Sequence, residues 1–452
     1  MSLSFLNTLT RTKETFVPIT PGLASLYTCG PTVYDFAHIG NMRTYIFNDT
    51  LRRVLEMNGL TVHHVMNITD VGHLVGDSDF AEDKVDAKAE KEGLHPLDIA
   101  KRYETAFFED FSRLNNKLPT DVVRATEAVD SQIELIKQLE ARGFTYRDDD
   151  AIYFDTSKLS DYGKLTGQTL SEKLIGAREE VVVDTRKRNP QDFVLWFFLT
   201  GRYAHHILHW ASPWGEGFPG WHVECSAISR SRLGQPFDIH TGGVDHIGTH
   251  HTNEIAQSEA AYGEPLAHYW LHGEHLMVEG KRMGKSEGNL VRLTTVEEKG
   301  FDPLDFRYLV LTAHYRSRMN FTWDALVGAR KTLTSIRELV AHDTSEKGEY
   351  AQEELIRAAF NDDLDTPRAL ALLHQAKSGA LWRKFDCVLG LNVDHLPREK
   401  HEVNSEITAL KEERDQARAQ KDWAKADMFR HKIEALGYRV RDTESGSVLE
   451  RL

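Results

Sequence analysis

Cysteine is scarce in this chain of 452 residues, which contains only Cys29, Cys225 and Cys387. So few cysteines, in an odd number, argue against the disulfide scaffold of a small secreted domain. Metal binding or chemistry is therefore the functional interpretation of these three residues. The alternative, which the sequence leaves open, is that each cysteine is a small buried apolar residue.

Long apolar runs are also missing. No stretch of about 18 apolar residues occurs, so the sequence predicts no membrane span. The first residues, MSLSFLNTLTRTKETF, lack the long apolar stretch and the cleavage pattern of a secretory signal. We therefore expect a soluble intracellular protein located in the cytoplasm. No internal repeat is visible either.

Positive charge is in deficit, since 55 Lys and Arg are set against 69 Asp and Glu, a formal net charge of −14. This balance excludes a generic basic coat for nucleic acid but not a local basic surface. Residues 411–441 are a local exception, with nine Lys or Arg and six Asp or Glu. Either a solvated helix face with i,i+4 ion pairs or a contact surface for a polyanion would explain this run.

Hydrophobic patterning predicts a parallel α/β unit near the N-terminus. A strand over Leu23–Thr28 is followed by a helix over about 41–57 and a second strand over 61–70. In such units ligands bind beyond the carboxyl ends of the strands. Cys29, His38 and Thr69 all lie just past such ends, so we expect all three near a ligand.

The rest of the chain changes character twice. Helices are predicted over 96–114 and 120–143, whereas residues 144–200 contain short strand-like pieces, AIYFDTS, REEVVVDTR and DFVLWFF, separated by polar turns. We interpret these pieces as an insertion between two halves of an α/β domain. The α/β pattern resumes over about 220–290. Helical patterns then dominate, ending in a long charged helix or helix pair over 405–436.

Potential metal ligands are spread over distant segments. Cys225 lies in GWHVECSAIS, and His250 and Glu254, spaced i,i+4, project from one face of the predicted helix THHTNEIAQSEA. With Cys29 they offer two thiolates, an imidazole and a carboxylate, all of which zinc accepts. His251, three residues before Glu254, is a geometric rival of His250. An ordinary pair on a helix surface is the alternative to any metal site.

Two segments have the composition of phosphate-binding sites. In GPTVYDFAHIGN, His38, Gly40 and Asn41 come at the start of a helix, where backbone N–H groups and the helix dipole favour a phosphate. His38 and Asn41 can donate hydrogen bonds to charge developing on an α-phosphate. In KRMGKSEGNL, Lys285 is a cation suited to a pyrophosphate leaving group. A solvated basic turn is the alternative for the second segment.

Together and in this order, these motifs closely resemble those of the cysteinyl-tRNA synthetases, a class I aminoacyl-tRNA synthetase family. The resemblance covers nearly the whole chain, since TCGPTVYDFAHIGN, NITD, GWHVECSAIS, FDIHTGGVDHIGTHHTNEIAQSEA, HYRSRMNFT and RDQARAQKDWAKADMFRHKIEALGYRVRDT match family blocks. It implies an α/β fold with a Rossmann-type parallel-sheet catalytic domain and a small inserted domain, followed by a helical bundle and a small C-terminal domain. The implied boundaries are 1–124 and 206–295 for the two halves of the catalytic domain, 125–205 for the inserted domain, 296–325 for a stem-contact segment, 326–398 for a helical tRNA-binding bundle and 399–452 for an anticodon-end domain.

The resemblance also implies roles for individual residues. The implied ligands of one zinc ion per chain are Cys29, Cys225, His250 and Glu254, which selects His250 over His251. The implied ATP-binding residues are Thr32, His38, Gly40, Asn41, Gly242, Gly243, Asp245, Lys285 and Ser286. Of these, the implied catalytic residues are His38, Asn41 and Lys285. The residues implied to line the amino-acid pocket are Thr69 and Trp221.

The second ATP signature departs from the usual Lys-Met-Ser-Lys-Ser of the family. It reads Arg282-Met283-Gly284-Lys285-Ser286, so one hydroxyl is lost and one lysine is replaced by arginine. The extra glycine loosens this loop. We expect activation of the amino acid to survive, because Lys285 and Ser286 remain.

The implied reaction is the ATP-dependent attachment of L-cysteine to tRNA(Cys) through a cysteinyl-adenylate, with zinc recognising the substrate thiolate and Mg²⁺ on the phosphates. A thiolate binds zinc far better than a hydroxyl does, so serine would be rejected without an editing domain. We expect a monomer with no membrane partner. Two alternatives are a ligase that joins cysteine to an amino-sugar acceptor and a non-catalytic tRNA- or zinc-binding paralog.

Overall fold

The structure is a computed structural model. It describes residues 2–74, 82–167, 187–284, 288–343, 345, 350–395, 405–436, 438–443 and 446–451. Tertiary contacts divide the chain into two units, Met1–Asp394 and His395–Leu452. Within the described ranges, no helix combines the length and the apolarity that crossing a membrane requires.

A sheet of five parallel strands forms the centre of the first unit. Their spatial order is Ala267–Gly273, Phe237–Gly243, Leu23–Thr28, Thr61–Ile68 and Asp121–Arg124. Along the chain, Thr61–Ile68 and then Asp121–Arg124 are added on one side of Leu23–Thr28. Phe237–Gly243 and Ala267–Gly273 are added later on its other side. A crevice therefore opens between the carboxyl ends of Leu23–Thr28 and Phe237–Gly243, which is where such sheets bind ligands. The predicted α/β class with a parallel catalytic sheet is confirmed.

The helix Ile39–Met57 packs on this sheet through an apolar stripe. Ile39, Met42, Ile46 and Val54 recur at helical spacing and are fully buried. The helix begins at Ile39, where the side chain of His38 caps it by accepting a hydrogen bond from Asn41 N–H. The predicted strand–turn–helix–strand unit is therefore present, with the helix starting two residues earlier than the predicted bound.

A four-stranded antiparallel sheet is inserted between the two halves of the central sheet. Its strands, in order, are Thr145–Arg147, Ala151–Phe154, Phe193–Phe198 and Gly217–Pro219. The strand-like pieces AIYFDTS and DFVLWFF are thus strands, while REEVVVDTR lies outside the described residues. The fourth strand comes from beyond residue 205, and the domain boundaries remain predictions.

The prediction of one helix over 120–143 is wrong in its first part. Asp121–Arg124 forms the edge strand of the central sheet, Ala125–Ala128 is a short 3-10 turn, and the helix is Val129–Ala141. The strand is stabilised by its pairing with Thr61–Ile68, which is distant in sequence, so a local helical pattern could not reveal it.

The remaining elements of the first unit are mainly helical. After about residue 290 helices dominate, as predicted. The helices are Lys84–Glu92, Pro96–Arg113, Trp221–Leu233, Asp245–Gly248, His250–Tyr262, Leu293–Glu298, Pro303–Leu311, Trp323–His342, Tyr350–Asn361, Thr366–Ala376 and Gly379–Leu389, with short 3-10 turns at Thr156–Lys158 and Gly201–Tyr203. The short strands are Ser4–Asn7 and Thr12–Thr15, which pair with each other, and Leu276–Val278, which lies between Lys281–Arg282 and Met319–Phe321.

The second unit is a helix pair followed by a hairpin. The helices Ser405–Ala419 and Trp423–Ala435 pack on each other, and the strands Tyr438–Thr443 and Gly446–Arg451 are antiparallel. A small apolar core contains Ile407, Ile433 and Val440. The charged segment is thus the predicted helix pair, whereas the hairpin was not anticipated.

Candidate active site and metal centre

Four predicted metal ligands come together at the crevice of the central sheet. Cys29 follows the strand that ends at Thr28, Cys225 lies in the helix Trp221–Leu233, and His250 and Glu254 lie in the first turns of the next long helix. One ligand atom from each of the four lies within 4.8 Å of those of the other three, and all four residues are buried. The spacing that suggested a shared face for His250 and Glu254 therefore corresponds to a real cluster.

A second set of four residues overlaps the first. Cys29, His240, His251 and Glu254 also bring their ligand atoms within 4.8 Å of one another. His251 Nε2 lies 3.3 Å from Cys29 Sγ, and its Nδ1 lies 2.8 Å from His272 Nε2. His251, the alternative to His250 that the spacing left open, therefore lies close to the cluster.

The environment of Glu254 tests whether a cation fits here. Its Oε1 is buried and has no hydrogen bond from any described residue, although it lies 3.1 Å from His250 Nε2. A buried carboxylate oxygen without a partner is costly, and a metal ion would satisfy it. The donor set of two sulfurs, one nitrogen and one oxygen matches the preferences of zinc. The residues present therefore fit a zinc ion.

The hydrogen bonds around the cluster favour the set that contains His250. His240 Nε2 lies 2.9 Å from Glu254 Oε2, and His222 Nδ1 lies 3.0 Å from His250 Nδ1. These contacts are the outer partners that metal-ligating carboxylates and imidazoles usually have. The other set leaves the buried thiol of Cys225 outside the site.

The two thiols of the cluster differ in acidity. Burial is the largest influence on the pKa of Cys29 and raises it, but the neighbouring groups Cys225, His251, His246 and His250 act in the opposite direction, and the pKa lies well below its ordinary value. Burial, reinforced by Cys29, raises the pKa of Cys225. Cys29 is therefore the thiol that first becomes a thiolate, which is the form that binds metals.

Trp221, predicted to line the amino-acid pocket, begins the helix that carries Cys225. Its indole stacks on His73 with ring centroids 3.9 Å apart and on His250 at 4.4 Å. Lys84 Nζ lies 2.6 Å from His73 Nε2, and His73 Nδ1 lies 2.7 Å from the hydroxyl of Thr32. A predicted substrate residue thus stacks on the predicted zinc ligand His250 on one side and, through His73, is linked to the predicted ATP-binding residue Thr32 on the other.

His38 and Asn41 cap the helix that they begin. Asn41 N–H donates to His38 Nδ1 at 3.2 Å, and His38 N–H donates to Asn41 Oδ1 at 3.1 Å. Because Nδ1 accepts, the proton of the neutral imidazole is on Nε2, and Asn41 keeps its amide N–H₂ as the donor group. Both side chains thus have the donor character that a phosphate requires.

The described ends of the second-signature loop lie beside this helix start. A Cβ on Gly40 would come within 3.2 Å of Met283 Cε, and Ile39 N–H donates to the carbonyl of Val291 at 2.9 Å. Asn289 closes the base of the loop by accepting from Gly284 N–H at 3.0 Å. The two predicted signatures are therefore neighbours, while Lys285 and Ser286 lie outside the described residues.

Gly242 and Gly243 end the strand on the other side of the crevice. A Cβ on Gly242 would lie 2.6 Å from both His246 Nδ1 and His251 Cε1, so only glycine fits there. Asp245 follows at the start of a short helix, with its carboxylate beside Gly243. These three predicted ATP-binding residues thus border the same crevice as His38.

Comparison with known proteins settles the family. Residues 15–331 match the family model for the "tRNA synthetases class I (C) catalytic domain". The chain belongs to the class I cysteine–tRNA ligase family. "Cysteine--tRNA ligase 1" of Burkholderia lata is 46% identical over 99% of this chain and 97% of that protein. "Cysteine--tRNA ligase" of Treponema denticola is 42% identical, with 100% of both chains covered.

Solved structures show the class I synthetase fold independently. The methionyl-tRNA synthetase of Mycobacterium tuberculosis, in complex with methionyl-adenylate, matches with a TM-score of 0.56 at 17% identity, covering 81% of this chain and 84% of that chain. The predicted family and enzyme class are confirmed.

Sequence reasoning missed several buried residues of this cysteine–tRNA ligase site. His240 and His272 lie on neighbouring strands of the central sheet and contact Glu254 and His251. Glu224, adjacent to Cys225 in GWHVECSAIS, is 1% exposed and contacts Thr69. Its position beside a predicted ligand was the available signal, because a charged residue buried next to a metal ligand needs a specific partner.

Proposed function

We propose that this class I synthetase uses ATP to attach L-cysteine to tRNA(Cys) through a cysteinyl-adenylate. The observation that carries the proposal is the buried cluster of Cys29, Cys225, His250 and Glu254 at the sheet crevice. Full-length similarity to curated cysteine–tRNA ligases supports the same reaction.

The cluster of these four side chains would hold one zinc ion per chain. When bound, zinc supplies a soft acceptor for the substrate thiolate and thereby disfavours the hydroxyl of serine. The protein contributes buried walls that exclude water. It also contributes His240 and His222, which fix the orientation of Glu254 and His250.

The activation step is the attack of the cysteine carboxylate on the α-phosphate of ATP, with release of pyrophosphate. His38 Nε2–H and the Asn41 amide donate hydrogen bonds to the charge that develops on the phosphate, and the backbone N–H groups of the helix start add to this effect. Lys285 and Ser286 of the second signature would stabilise the leaving pyrophosphate, with Mg²⁺ on the phosphates. Thr32, Gly40, Gly242, Gly243 and Asp245 would contact the rest of ATP.

The transfer step and the tRNA contacts belong to the later part of the chain. The terminal ribose hydroxyl of tRNA attacks the acyl carbon of the adenylate and takes the cysteinyl group, with AMP as the leaving group. Thr69 and Trp221 hold the amino acid during both steps. The helices after about residue 325 and the basic run 411–441 would contact the tRNA backbone, which suits modest local basicity. We further propose a cytoplasmic monomer with the domain boundaries predicted above.

The decisive experiment measures zinc content and cysteine-dependent ATP–pyrophosphate exchange for the wild type and for Cys225→Ala. The matched control is Cys387→Ala, because Cys387 is exposed and lies outside the cluster. Cys225→Ala should lose zinc and most exchange, whereas Cys387→Ala should keep both. Purified wild-type protein that is free of metal yet still selects cysteine over serine would overturn the proposal.

A further inference from the structure

The guanidinium of Arg292 lies over the ring of a partly exposed phenylalanine, Phe36. The central carbon of the guanidinium is 4.4 Å from the centroid of the Phe36 ring. Phe36 is 40% exposed, and the side chain of Arg292 is 43% exposed. This Arg292–Phe36 pair therefore has a surface that a ligand can reach.

Neighbouring residues hold the Arg292–Phe36 pair in place. The rings of Phe36 and Tyr103 meet edge to face, with centroids 4.9 Å apart and an angle of 83° between their planes. Asp35 Oδ1 accepts from the Phe36 N–H at 2.8 Å and lies 3.6 Å from Arg292 Nη2. Side chains that are already held lose less conformational freedom when a ligand binds. The pair is therefore a preformed surface.

The pair lies beside the helix start that His38 caps. Phe36 precedes His38 by two residues. On the other strand of chain, Arg292 directly follows Val291, whose carbonyl accepts a hydrogen bond from Ile39 N–H at 2.9 Å. Because His38 is proposed to contact the α-phosphate, a group bound on the pair would lie close to the adenylate.

The side of the sheet on which the pair lies separates it from the other predicted ATP contacts. Tyr103, which packs on Phe36, belongs to a buried cluster with Ile68, the last residue of its strand. That strand and the strand that ends at Gly243 lie on opposite sides of Leu23–Thr28. A ligand on the pair would thus approach the adenylate from another side than the ATP contacts near Gly243. In the transfer step, the group that approaches the adenylate is the acceptor end of tRNA.

The chemistry of the pair suits a nucleic-acid base. Bases stack on aromatic rings and on guanidinium planes with little dependence on sequence. Two further cations, Lys88 and Arg102, lie 5.9 Å and 4.7 Å from the centroid of the Tyr103 ring. Both pair with the same carboxylate, Glu92, so cations outnumber carboxylates in this group of three. Such cations attract the phosphates that precede a terminal base.

We propose that Arg292, supported by Phe36, is the platform on which the terminal base at the single-stranded 3′ end of tRNA stacks during transfer. This inference rests on the proposed function and deepens it. Phe36 and Asp35 are positioning residues, because they orient the guanidinium and do not touch the reacting atoms. The platform serves the transfer step and leaves the activation step unaffected.

Separate measurement of the two steps tests the platform. Pyrophosphate exchange reports activation, and aminoacylation at low tRNA(Cys) concentration reports kcat/KM for tRNA. Arg292→Met should lower this kcat/KM by about 5- to 150-fold, as for the loss of one base stack, and should keep exchange within about twofold. Arg292→Lys keeps the charge but lacks the planar group, so it should resemble Arg292→Met. Phe36→Ala should also lower kcat/KM for tRNA, and Phe36→Trp should restore it.

The matched control is Leu118→Ala, which also shortens an exposed apolar side chain. Leu118 is 60% exposed and precedes the strand Asp121–Arg124, so it lies at the amino ends of the parallel strands, away from the crevice. This variant should keep both exchange and kcat/KM for tRNA.

A tRNA(Cys) that lacks its terminal nucleotide gives a measurement that a merely structural role would not change. With a non-reactive cysteinyl-adenylate analogue bound, the wild type should bind intact tRNA more tightly than the shortened tRNA. Arg292→Met should lose this difference and bind the shortened tRNA as well as the wild type does.

Three results would overturn the inference. They are an equal loss of exchange and aminoacylation in Arg292→Met, equal weakening of its binding to both tRNAs, and aminoacylation by Arg292→Lys at the wild-type level, which would indicate attraction by charge alone. Failure of the wild type to charge tRNA(Cys) would instead contradict the proposed function. Normal charging by both the wild type and Arg292→Met would contradict this inference and leave the proposed function intact.

Discussion

The buried guanidinium of Arg307 is expected to be among the side chains whose loss destabilises the first unit most. Arg307 is fully buried, and its Nε donates to the carbonyl of Leu389 at 2.6 Å. Its Nη1 donates to the carbonyl of Leu114 at 2.9 Å and to Asn116 Oδ1 at 2.8 Å, and its Nη2 lies 2.5 Å from Asp49 Oδ2. One side chain thus joins the first helix of the catalytic domain to the helices Pro303–Leu311 and Gly379–Leu389.

The cost of Arg307→Met follows from what the substitution leaves behind. Asp49 keeps Arg53, whose Nε lies 2.7 Å from Asp49 Oδ2, and the backbone N–H of Lys117 at 2.8 Å. The carboxylate is therefore not isolated, and the loss should lie near the lower bound for a broken buried pair, about 3 kcal/mol. The carbonyl groups of Leu389 and Leu114, which would lose their hydrogen-bond donor, add about 1 kcal/mol or more to this loss of stability. We expect the free energy of unfolding to fall by about 4 kcal/mol.

The assay is urea unfolding of the full chain, monitored by circular dichroism and by tryptophan fluorescence. Arg318→Met is the matched control, because the Arg318 side chain is 74% exposed and its ion pair with Glu274, at 3.6 Å, is a surface pair. Such pairs contribute about 0 to 1 kcal/mol. If the two variants differed in unfolding free energy by less than about 1 kcal/mol, the reasoning about the buried cluster would be refuted.

Three other perturbations have expected outcomes. Burial raises the pKa of Asp70 from 3.8 to about 6, so the folded state binds more protons than the unfolded state between these pH values. The unfolding free energy should therefore fall by about 3 kcal/mol as the pH rises through that window. Asp70→Asn should flatten this part of the curve of unfolding free energy against pH. Arg43 donates from its guanidinium to the carbonyls of Glu274, His275, His314 and Ser317; Arg43→Lys should lower pyrophosphate exchange while zinc content stays constant, and unchanged exchange would contradict this. Deleting residues 400–452 should weaken aminoacylation of tRNA and leave pyrophosphate exchange largely intact, whereas an equal loss of both would show that the division of labour is wrong.

Local patterns were sufficient for the elements that dominate the catalytic half. The strand Leu23–Thr28 and the helix after it follow from apolar periodicity, and the i,i+4 spacing of His250 and Glu254 places both on one helix face. Residue chemistry could only propose adding Cys29 and Cys225 to this pair, and the family motifs favoured that set over its alternatives, because the four predicted ligands come from three distant segments. The choice of His250 over His251 came from the resemblance, and the geometry keeps both near Glu254.

The missed features depend on contacts between distant segments. Asp121–Arg124 is four residues long and is a strand because Thr61–Ile68 pairs with it. Gly217–Pro219 is likewise a strand through its pairing with Phe193–Phe198. Glu224 was overlooked because the acceptor role of its carboxyl becomes visible only once Asn67, in the strand Thr61–Ile68, and Thr69, just after that strand, are placed beside it. Short elements and buried polar partners of this kind carry little signal in the local sequence.

The inserted sheet ends where the cysteine-bearing helix begins. Gly217–Pro219 is its last strand, Gly220 N–H donates to the carbonyl of Leu195 at 3.0 Å, and the helix starts at the next residue, Trp221. The insertion thus anchors the first turn of the helix that places Cys225 in the crevice. Engineering a smaller enzyme by replacing this sheet with a short linker would consequently release one wall of the buried cluster of Cys29, Cys225, His250 and Glu254, even though none of these four residues lies in the excised segment.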